Sequence, residues 1–147
     1  MGERRDFDRK VKYTFLAFLL AFPLSLRAAE PSVLARPPLS DTGLIREDIL
    51  AGDGSEVSDG KLVEATYIGR YPDGKSFDRA HAKEPFRFVQ GVSRLLPGWT
   101  LGIAGMREGG RRIVTVPPIL AYGKDGVEGL IPPESTLVYE IRILSVK

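Results

Sequence analysis

Three segments of the chain alternate apolar and polar residues, which is the period of a β-strand with one buried face. They are residues 62–71 (LVEATYIGRY), Arg112 to Val116, and residues 135–146 (STLVYEIRILSV). One face of the third segment holds Leu137, Tyr139, Ile141 and Ile143. One mostly apolar face per strand is typical of an antiparallel sheet that is covered on one side. The third strand runs almost to Lys147, so deletion of residues 140–147 is predicted to unfold the domain.

The other predicted elements are one helix and two turns. Gly98 to Gly105 (GWTLGIAG) is the only segment that predicts a helix, and it is short and rich in glycine. Packing rather than helix propensity must therefore hold it in place. Pro72 to Lys75 predicts a turn because proline presets φ and glycine accepts a positive φ, and Gly109-Gly110 predicts another. The predicted fold class is α+β: one antiparallel sheet, one short helix and long loops.

The N-terminal part of the chain has the composition of a leader. Residues 13–26 (YTFLAFLLAFPLSL) carry no charge and follow a basic segment. This stretch is short for a membrane span but suits the apolar core of a signal peptide. Residues 1–29 are therefore predicted to be a cleaved export signal, with an uncleaved N-terminal anchor as the alternative. Residues 30–42 contain three prolines and predict an extended tether, and residues 43–147 form the predicted domain.

The leader also predicts where the protein acts. Export is expected, with a bacterial periplasm as the first prediction and an organellar lumen or a secretory pathway as alternatives. Contact with a membrane is expected only if the leader stays uncleaved.

Composition removes several kinds of chemistry. The absence of cysteine excludes a disulfide scaffold, zinc–cysteine sites, iron–sulfur ligation and a thiol nucleophile. The single histidine, His81, excludes a two-histidine metal site, and it is expected to be a solvated loop residue. No metal or cofactor is predicted.

The charge of the chain is concentrated in the leader. Residues 1–29 hold six of the 21 basic side chains and three of the 19 acidic ones, so the remainder has 15 basic against 16 acidic side chains. A nearly neutral domain gives little support for nucleic-acid binding. Arg107, Arg111 and Arg112 are expected to lie on a solvated face.

Seven short motifs follow one another in order along the predicted domain. They are Tyr67-Ile68-Gly69, DGKSFD at 73–78, PFRF at 85–88, LPGW at 96–99, GMREG at 105–109, AYG at 121–123, and IPP at 131–133 followed by STL at 135–137. This succession resembles the FKBP-type peptidyl-prolyl cis-trans isomerases, the immunophilin domain. The resemblance covers roughly residues 43–147. It implies an antiparallel sheet wrapped around one short α-helix, which agrees with the predicted elements.

The resemblance also implies a binding pocket between the helix and the sheet. Trp99 would be its floor, Tyr122 and Asp78 its polar groups, and the backbone N–H of Leu96 a donor to the bound peptide. The implied walls are Tyr67, Phe77, Phe86, Leu95, Leu130, Ile131 and Tyr139. Asp78 is expected to orient Tyr122 or an arginine rather than to transfer a proton. Tyr139 replaces the phenylalanine that is commoner in the family.

The implied activity is rotation about X–Pro peptide bonds without covalent chemistry. Partial double-bond character gives a peptide bond a rotation barrier of about 18–20 kcal/mol, and a dry apolar pocket favours the less dipolar, twisted amide. The implied partners are proline-containing polypeptides and macrolide inhibitors, bound by a monomer. A non-catalytic module that binds a proline-bearing partner is the alternative. A hydrolase with an acid pair is disfavoured because Asp78 has no second carboxylate near it in sequence.

Overall fold

The segments predicted as strands form the three central strands of a sheet in the computed structural model, which describes residues 42–147. In chain order the strands are β1 (Ile45–Leu50), β2 (Leu62–Arg70), β3 (Ser76–Ala80), β4 (Phe86–Val89), β5 (Arg111–Val116) and β6 (Leu137–Val146). Helix α1 spans Pro97–Ile103, and a 3-10 turn spans Pro118–Leu120. The α+β fold class predicted from the sequence is confirmed.

The strands form one antiparallel sheet in the order β1-β5-β6-β2-β3, and β4 also pairs with β2. Strand β6 lies between β5 and β2, so Ile141 stands opposite Arg112 on one side and Tyr67 on the other. The C-terminal strand therefore holds the centre of the sheet.

Burial along the central strands follows the predicted alternation. On β2, Val63, Ala65 and Tyr67 are buried and the residues between them are half-buried. The predicted apolar face of β6 is likewise buried: Leu137, Tyr139, Ile141 and Ile143 are all inaccessible. These side chains form the inner face of the sheet, against which the helix packs.

Helix α1 keeps its glycines because it packs closely against β5. A Cβ atom on Gly98 would lie 2.2 Å from Val116 Cγ1, and one on Gly102 would lie 2.6 Å from Val114 Cγ1. Both distances are too short for a carbon–carbon contact. The close packing buries Trp99 between the helix and the sheet. Tertiary packing thus holds a helix that has poor intrinsic propensity.

The structure contradicts the prediction that Arg112 is solvated. The residue is only 8% exposed. Arg112 Nε and Nη2 donate to the two carboxylate oxygens of Asp48 on β1, at 2.6 and 3.1 Å. Arg112 Nη1 donates to the carbonyls of Gly102 and Ala104, at 2.8 and 3.1 Å. The predicted alternation is confirmed, because Arg112 shares the buried inner face with Val114. The guanidinium can be buried there because groups distant in sequence accept its hydrogen bonds.

Arg112 links the end of the helix to the edge of the sheet. Its guanidinium satisfies carbonyls at the C-terminal end of α1, where the helix dipole favours a cation. Its hydrogen bond to Asp48 lowers the pKa of that carboxyl group, against a smaller opposing effect of burial. The pair thus holds α1, and the tryptophan that it carries, in one position relative to β1 and β5.

The predicted leader at residues 1–29 and most of the predicted tether, residues 30–41, lie outside the described residues. Across residues 42–147, no helix combines the length and apolarity needed to cross a membrane.

Candidate functional site

Trp99 stands at the centre of a cluster of aromatic rings from the helix and the inner face of the sheet. Four rings meet it edge to face, with centroids 5.0 to 6.2 Å from its own: Tyr67, Tyr139, Phe86 and Phe88. Edge-to-face pairs at these distances stabilise beyond simple area burial. We call these five residues and Phe77 the aromatic cluster.

A bulge in β3 turns two successive residues towards this cluster. Asp78 pairs with Gly69 and Ser76 pairs with Arg70, so Phe77 is an extra residue on β3. Both Phe77 and Asp78 are buried, although neighbours on a regular strand point to opposite faces. The Phe77 ring meets that of Tyr139 edge to face at 5.8 Å. The bulge therefore places one aromatic wall and one carboxylate side by side.

Asp78 is a buried carboxylate held by hydrogen bonds. The Tyr67 hydroxyl donates to Asp78 Oδ2 at 2.5 Å, and the Arg79 backbone N–H donates to Oδ1 at 2.8 Å. Burial, and then the negative charge of Asp78, raise the pKa of Tyr67 far above its usual value. Tyr67 is therefore a protonated donor at any physiological pH.

Tyr122 experiences the same carboxylate from the loop after β5. Burial raises the pKa of Tyr122, and the charge of Asp78 raises it further. Both tyrosines thus keep their protons under the influence of one negative charge. Protonated hydroxyls in a buried, largely apolar site can donate hydrogen bonds to a ligand carbonyl but cannot act as bases.

The loop from Tyr122 to Ile131 is closed by its own backbone. Val127 and Ile131 exchange hydrogen bonds, at 2.7 and 2.8 Å. Gly126 makes this possible: its φ is +61°, and a Cβ atom there would lie 2.3 Å from the Ile131 carbonyl oxygen. Ile131 is buried and Leu130 half-buried. Tyr71 donates to the Leu130 carbonyl, which ties the loop to the end of β2.

Leu96 marks the start of α1 and presents an available backbone donor. Its carbonyl accepts hydrogen bonds from the N–H groups of Trp99 and Thr100, at 2.9 and 3.1 Å. No backbone carbonyl within residues 42–147 accepts from the Leu96 N–H itself. Its side chain is buried and that of Leu95 half-buried. The helix start thus places an N–H donor three residues before the central tryptophan.

A sequence model of FKBP-type peptidyl-prolyl cis-trans isomerases matches residues 54–144, which include the whole aromatic cluster, Asp78 and Tyr122. The chain belongs to the FKBP family.

Similar proteins come from bacteria and eukaryotes. The FK506-binding protein of Neisseria meningitidis is 39% identical over 105 residues, covering 71% of this chain and 96% of that protein. The FKBP-type peptidyl-prolyl cis-trans isomerase FkpA of Escherichia coli is 44% identical over 110 residues, covering 74% and 39%. FK506-binding protein 4 of Rhizopus delemar is 46% identical over 105 residues, covering 71% and 28%. The chain spans less than a third of the length of several curated relatives.

Solved FKBP structures share the fold. AtFKBP13 superimposes with a TM-score of 0.67 at 34% identity, covering 73% of this chain and 95% of that one. FkpA from Escherichia coli gives a TM-score of 0.65 at 35% identity, covering 97% of this chain and 60% of that one.

The structure brings together most of the residues that the resemblance to FKBPs implied. The cluster and its polar group contain Trp99, Tyr67, Phe77, Phe86, Tyr139 and Asp78. Tyr122 is linked to them electrostatically through Asp78. Leu96 directly precedes helix α1, and Leu130 and Ile131 end the loop. Asp78 binds the Tyr67 hydroxyl, a partner that was not anticipated.

Three residues near the site were missed as site residues. Phe88 packs on Trp99 from β4, and Tyr71 packs on Phe77 at 5.1 Å. Val127 is buried in the closed loop. The alternation Phe86-Arg87-Phe88 carried a signal for Phe88. Nothing local indicated the bond from Tyr71 to a carbonyl 59 residues away. Among residues 42–147, no group of acidic or histidine side chains is arranged to hold a metal ion.

The Tyr139 hydroxyl is expected to destabilise this FKBP domain. It is buried, and no atom of residues 42–147 forms a hydrogen bond with it. Leaving a buried hydroxyl unpaired costs about 1–3 kcal/mol. Tyr139→Phe keeps the ring and removes that penalty, so we expect it to raise the free energy of unfolding by about 1 kcal/mol. Thermal unfolding followed by circular dichroism measures the effect as a rise in Tm.

Tyr67→Phe is the matched control, because it removes a hydroxyl that does have a partner. It breaks the bond to buried Asp78 and is expected to lower Tm. If both substitutions lower Tm, the Tyr139 hydroxyl contributes a stabilising hydrogen bond and the expectation is wrong.

Proposed function

We propose that this chain is a peptidyl-prolyl cis-trans isomerase that rotates X–Pro bonds over the aromatic cluster. The observation that carries the proposal is the arrangement around Trp99: packed rings, a buried Asp78–Tyr67 pair and an available Leu96 N–H. Its FKBP relatives include chains named as such isomerases. Proline-containing polypeptides are the proposed substrates.

Catalysis would come from binding the twisted amide better than the planar one. A planar X–Pro amide is stabilised by resonance, which makes its oxygen and nitrogen strongly dipolar. Rotation removes that resonance and makes the amide less dipolar. The twisted amide therefore loses less hydration free energy than the planar amide when it leaves water. A site lined by Trp99, Tyr67, Phe86 and Phe77 excludes water and therefore favours the transition state.

Each polar group has a proposed role beside the aromatic floor. The Leu96 N–H would donate to a carbonyl of the bound peptide and hold it in register. Tyr122 would donate a second hydrogen bond, since its raised pKa keeps it protonated. Asp78 acts as a positioning residue through Tyr67, to which it is bonded. Lowering the barrier by about 7 kcal/mol would accelerate rotation by about 10⁵-fold, without a covalent intermediate.

The experiment compares isomerisation of a short X-Pro-Phe peptide by the full chain and by a Tyr122→Phe, Asp78→Ala double variant. The variant loses one donor and the carboxylate that organises Tyr67. We expect its kcat/KM to fall about 100-fold, the equivalent of about 2.7 kcal/mol of transition-state stabilisation. Asp53→Ala, at an exposed acid between β1 and β2, should leave kcat/KM unchanged.

The outcomes separate the two functions that this site could serve. Turnover by the parent and loss in the double variant support the isomerase. If the folded parent binds proline peptides but does not accelerate rotation, the chain is a binding module instead. Equal activity in parent and double variant would contradict the proposed roles of Tyr122 and Asp78.

We also propose that the enzyme is exported and assists folding there, most simply in a periplasm. FKBP relatives include a nuclear protein of Drosophila melanogaster as well as bacterial chains, so family membership does not indicate one compartment. The proposal therefore rests on the composition of residues 1–29. N-terminal sequencing of the chain recovered from fractionated cells tests it. A chain that keeps Met1 in the membrane fraction would indicate an anchor at residues 13–26, and one that keeps it in the cytoplasm would contradict export.

The remaining proposals concern ligands and assembly. Several relatives are named FK506-binding proteins, so we propose that macrolides of this type compete with peptide in the aromatic cluster. We propose a monomer in solution. Inhibition of turnover by FK506 and sedimentation analysis test these two statements.

A further inference from the structure

A second concavity, which we call the outer groove, lies on the other face of the sheet from the aromatic cluster. Its volume is about 340 Å³. Its floor includes Ile68 of β2 and Glu140 of β6, which stand opposite each other in the sheet. Ile68 follows buried Tyr67 along β2 and therefore points outward. The two sites thus share strands but open on opposite faces.

The charges around the outer groove do not balance. Glu140 accepts hydrogen bonds from Arg111 and, at 3.4 Å, from Arg70. Arg142 also lines the groove, and no acidic group within residues 42–147 forms an ion pair with it. Glu140 is the only carboxylate among the residues that line this groove, and the groove also holds the guanidinium groups of Arg111 and Arg142. Because Glu140 pairs with Arg70 as well, the positive charge around the groove exceeds the negative charge.

The register places two of these arginines directly opposite each other. Arg111 on β5 pairs with Arg142 on β6. Like charges directly opposite one another on a sheet are unfavourable. An anion between them would turn this repulsion into two attractions. Glu140 pairs with Arg111 but forms no ion pair with Arg142, so a second anion placed between the two arginines would pair with Arg142.

The other side of the groove combines apolar and polar groups. Ile68 is half-buried and Ala82 is exposed, and Thr66 and His81 line the same groove. A ligand that fits both sides carries carboxylates next to apolar groups, which describes an acidic stretch of polypeptide. Nucleic acid is a poorer match because residues 30–147 are nearly neutral, with 15 basic against 16 acidic side chains.

We propose that the outer groove binds an acidic segment of a polypeptide, with a carboxylate placed between Arg111 and Arg142. The segment lies across the face of the sheet that the aromatic cluster does not use. Binding there requires no proline and is independent of isomerisation.

Fluorescence anisotropy of a rhodamine-labelled hexapeptide of alternating glutamate and valine tests this in the full chain. The probe lacks proline, so the isomerase site has no reason to select it. Arg142→Glu should weaken binding about tenfold, since it replaces an attraction by a repulsion. Lys61→Glu makes the same change of charge at an exposed residue outside the groove and should have little effect. Added salt should weaken binding by the parent.

Three results would overturn the proposal. The first is that the acidic hexapeptide does not bind the parent, or binds it no better than a peptide with glutamine in place of each glutamate. Another is equal weakening by Lys61→Glu and Arg142→Glu, which would indicate attraction by net charge alone. The third is displacement of the hexapeptide by a short RNA at lower concentration than by unlabelled hexapeptide, which would identify a nucleic-acid surface. Unchanged circular dichroism shows that Arg142→Glu is folded in each case.

Discussion

Deleting residues 140–147 is expected to leave a chain that does not fold cooperatively. The deletion removes most of β6, the strand that pairs with both β5 and β2. It also removes Ile141 and Ile143, both inaccessible to solvent. Loss of one buried isoleucine costs about 2–5 kcal/mol, while a whole domain is stable by only about 5–15 kcal/mol. The combined cost of losing two buried isoleucines and the pairing of β6 is expected to exceed the stability of the domain.

Urea unfolding followed by circular dichroism measures this outcome. The full chain should give a sigmoidal transition, and the truncated chain a shallow, featureless one. A matched chain lacking only Lys147 should still unfold cooperatively, because it retains every buried residue of β6. A truncated chain that is soluble and melts in one sharp step would show that the other strands form a stable sheet without β6.

Trp99→Ala is expected to abolish most isomerase activity and to destabilise the domain. Trp99 is 1% exposed and packs against four other rings. Its truncation should lower the free energy of unfolding by about 3–5 kcal/mol. If Trp99 is the floor of the proline site, kcat/KM should fall by a further factor that instability does not explain.

Ile143→Ala separates these two effects. Ile143 is also fully buried, but it pairs with Ala65 towards the end of β6 away from Tyr139 and Asp78. We expect a comparable loss of stability with kcat/KM within about twofold of the parent, measured at a temperature where both variants are folded. If Trp99→Ala fails to fold, Trp99→Phe takes its place. Equal activity of the tryptophan and isoleucine variants would remove Trp99 from the site.

Sequence reasoning recovered the strands whose alternation runs over many residues and missed the rest. Strands β2 and β5 bury every second side chain, and β6 does so from Leu137 to Ile143, so their period is visible locally. Strand β1 is exposed along its whole length, so it buries no apolar face that a periodic pattern could mark. It is held at the sheet edge by pairing with β5 and by the bond between Asp48 and Arg112. Strands β3 and β4 are five and four residues long. In β3 the bulge buries Phe77 next to Asp78, which breaks the period at the functional position.

For the candidate site, too, the sequence indicated some features and only the structure showed the others. The order of short motifs identified the FKBP family and implied Trp99, Tyr122 and Asp78, because a family's motif residues recur at matching places along its chains. It did not indicate that Asp78 binds Tyr67 or that the Tyr139 hydroxyl lacks a partner. Those facts depend on the bulge in β3 and on how the rings pack.

The sequence by itself determined the face of each long strand, the short glycine-rich helix and the family, because these follow from local periodicity and from motifs in order. Only the tertiary structure decided which polar groups meet. Arg112 binds Asp48, which is 64 residues away in the sequence, and Tyr67 binds Asp78, which is 11 residues away. Strand order and register create these pairs, and no local pattern encodes them. Burial then raises the pKa of Tyr67 and Tyr122, since desolvation depends on everything packed around a group and not on its neighbours in the chain.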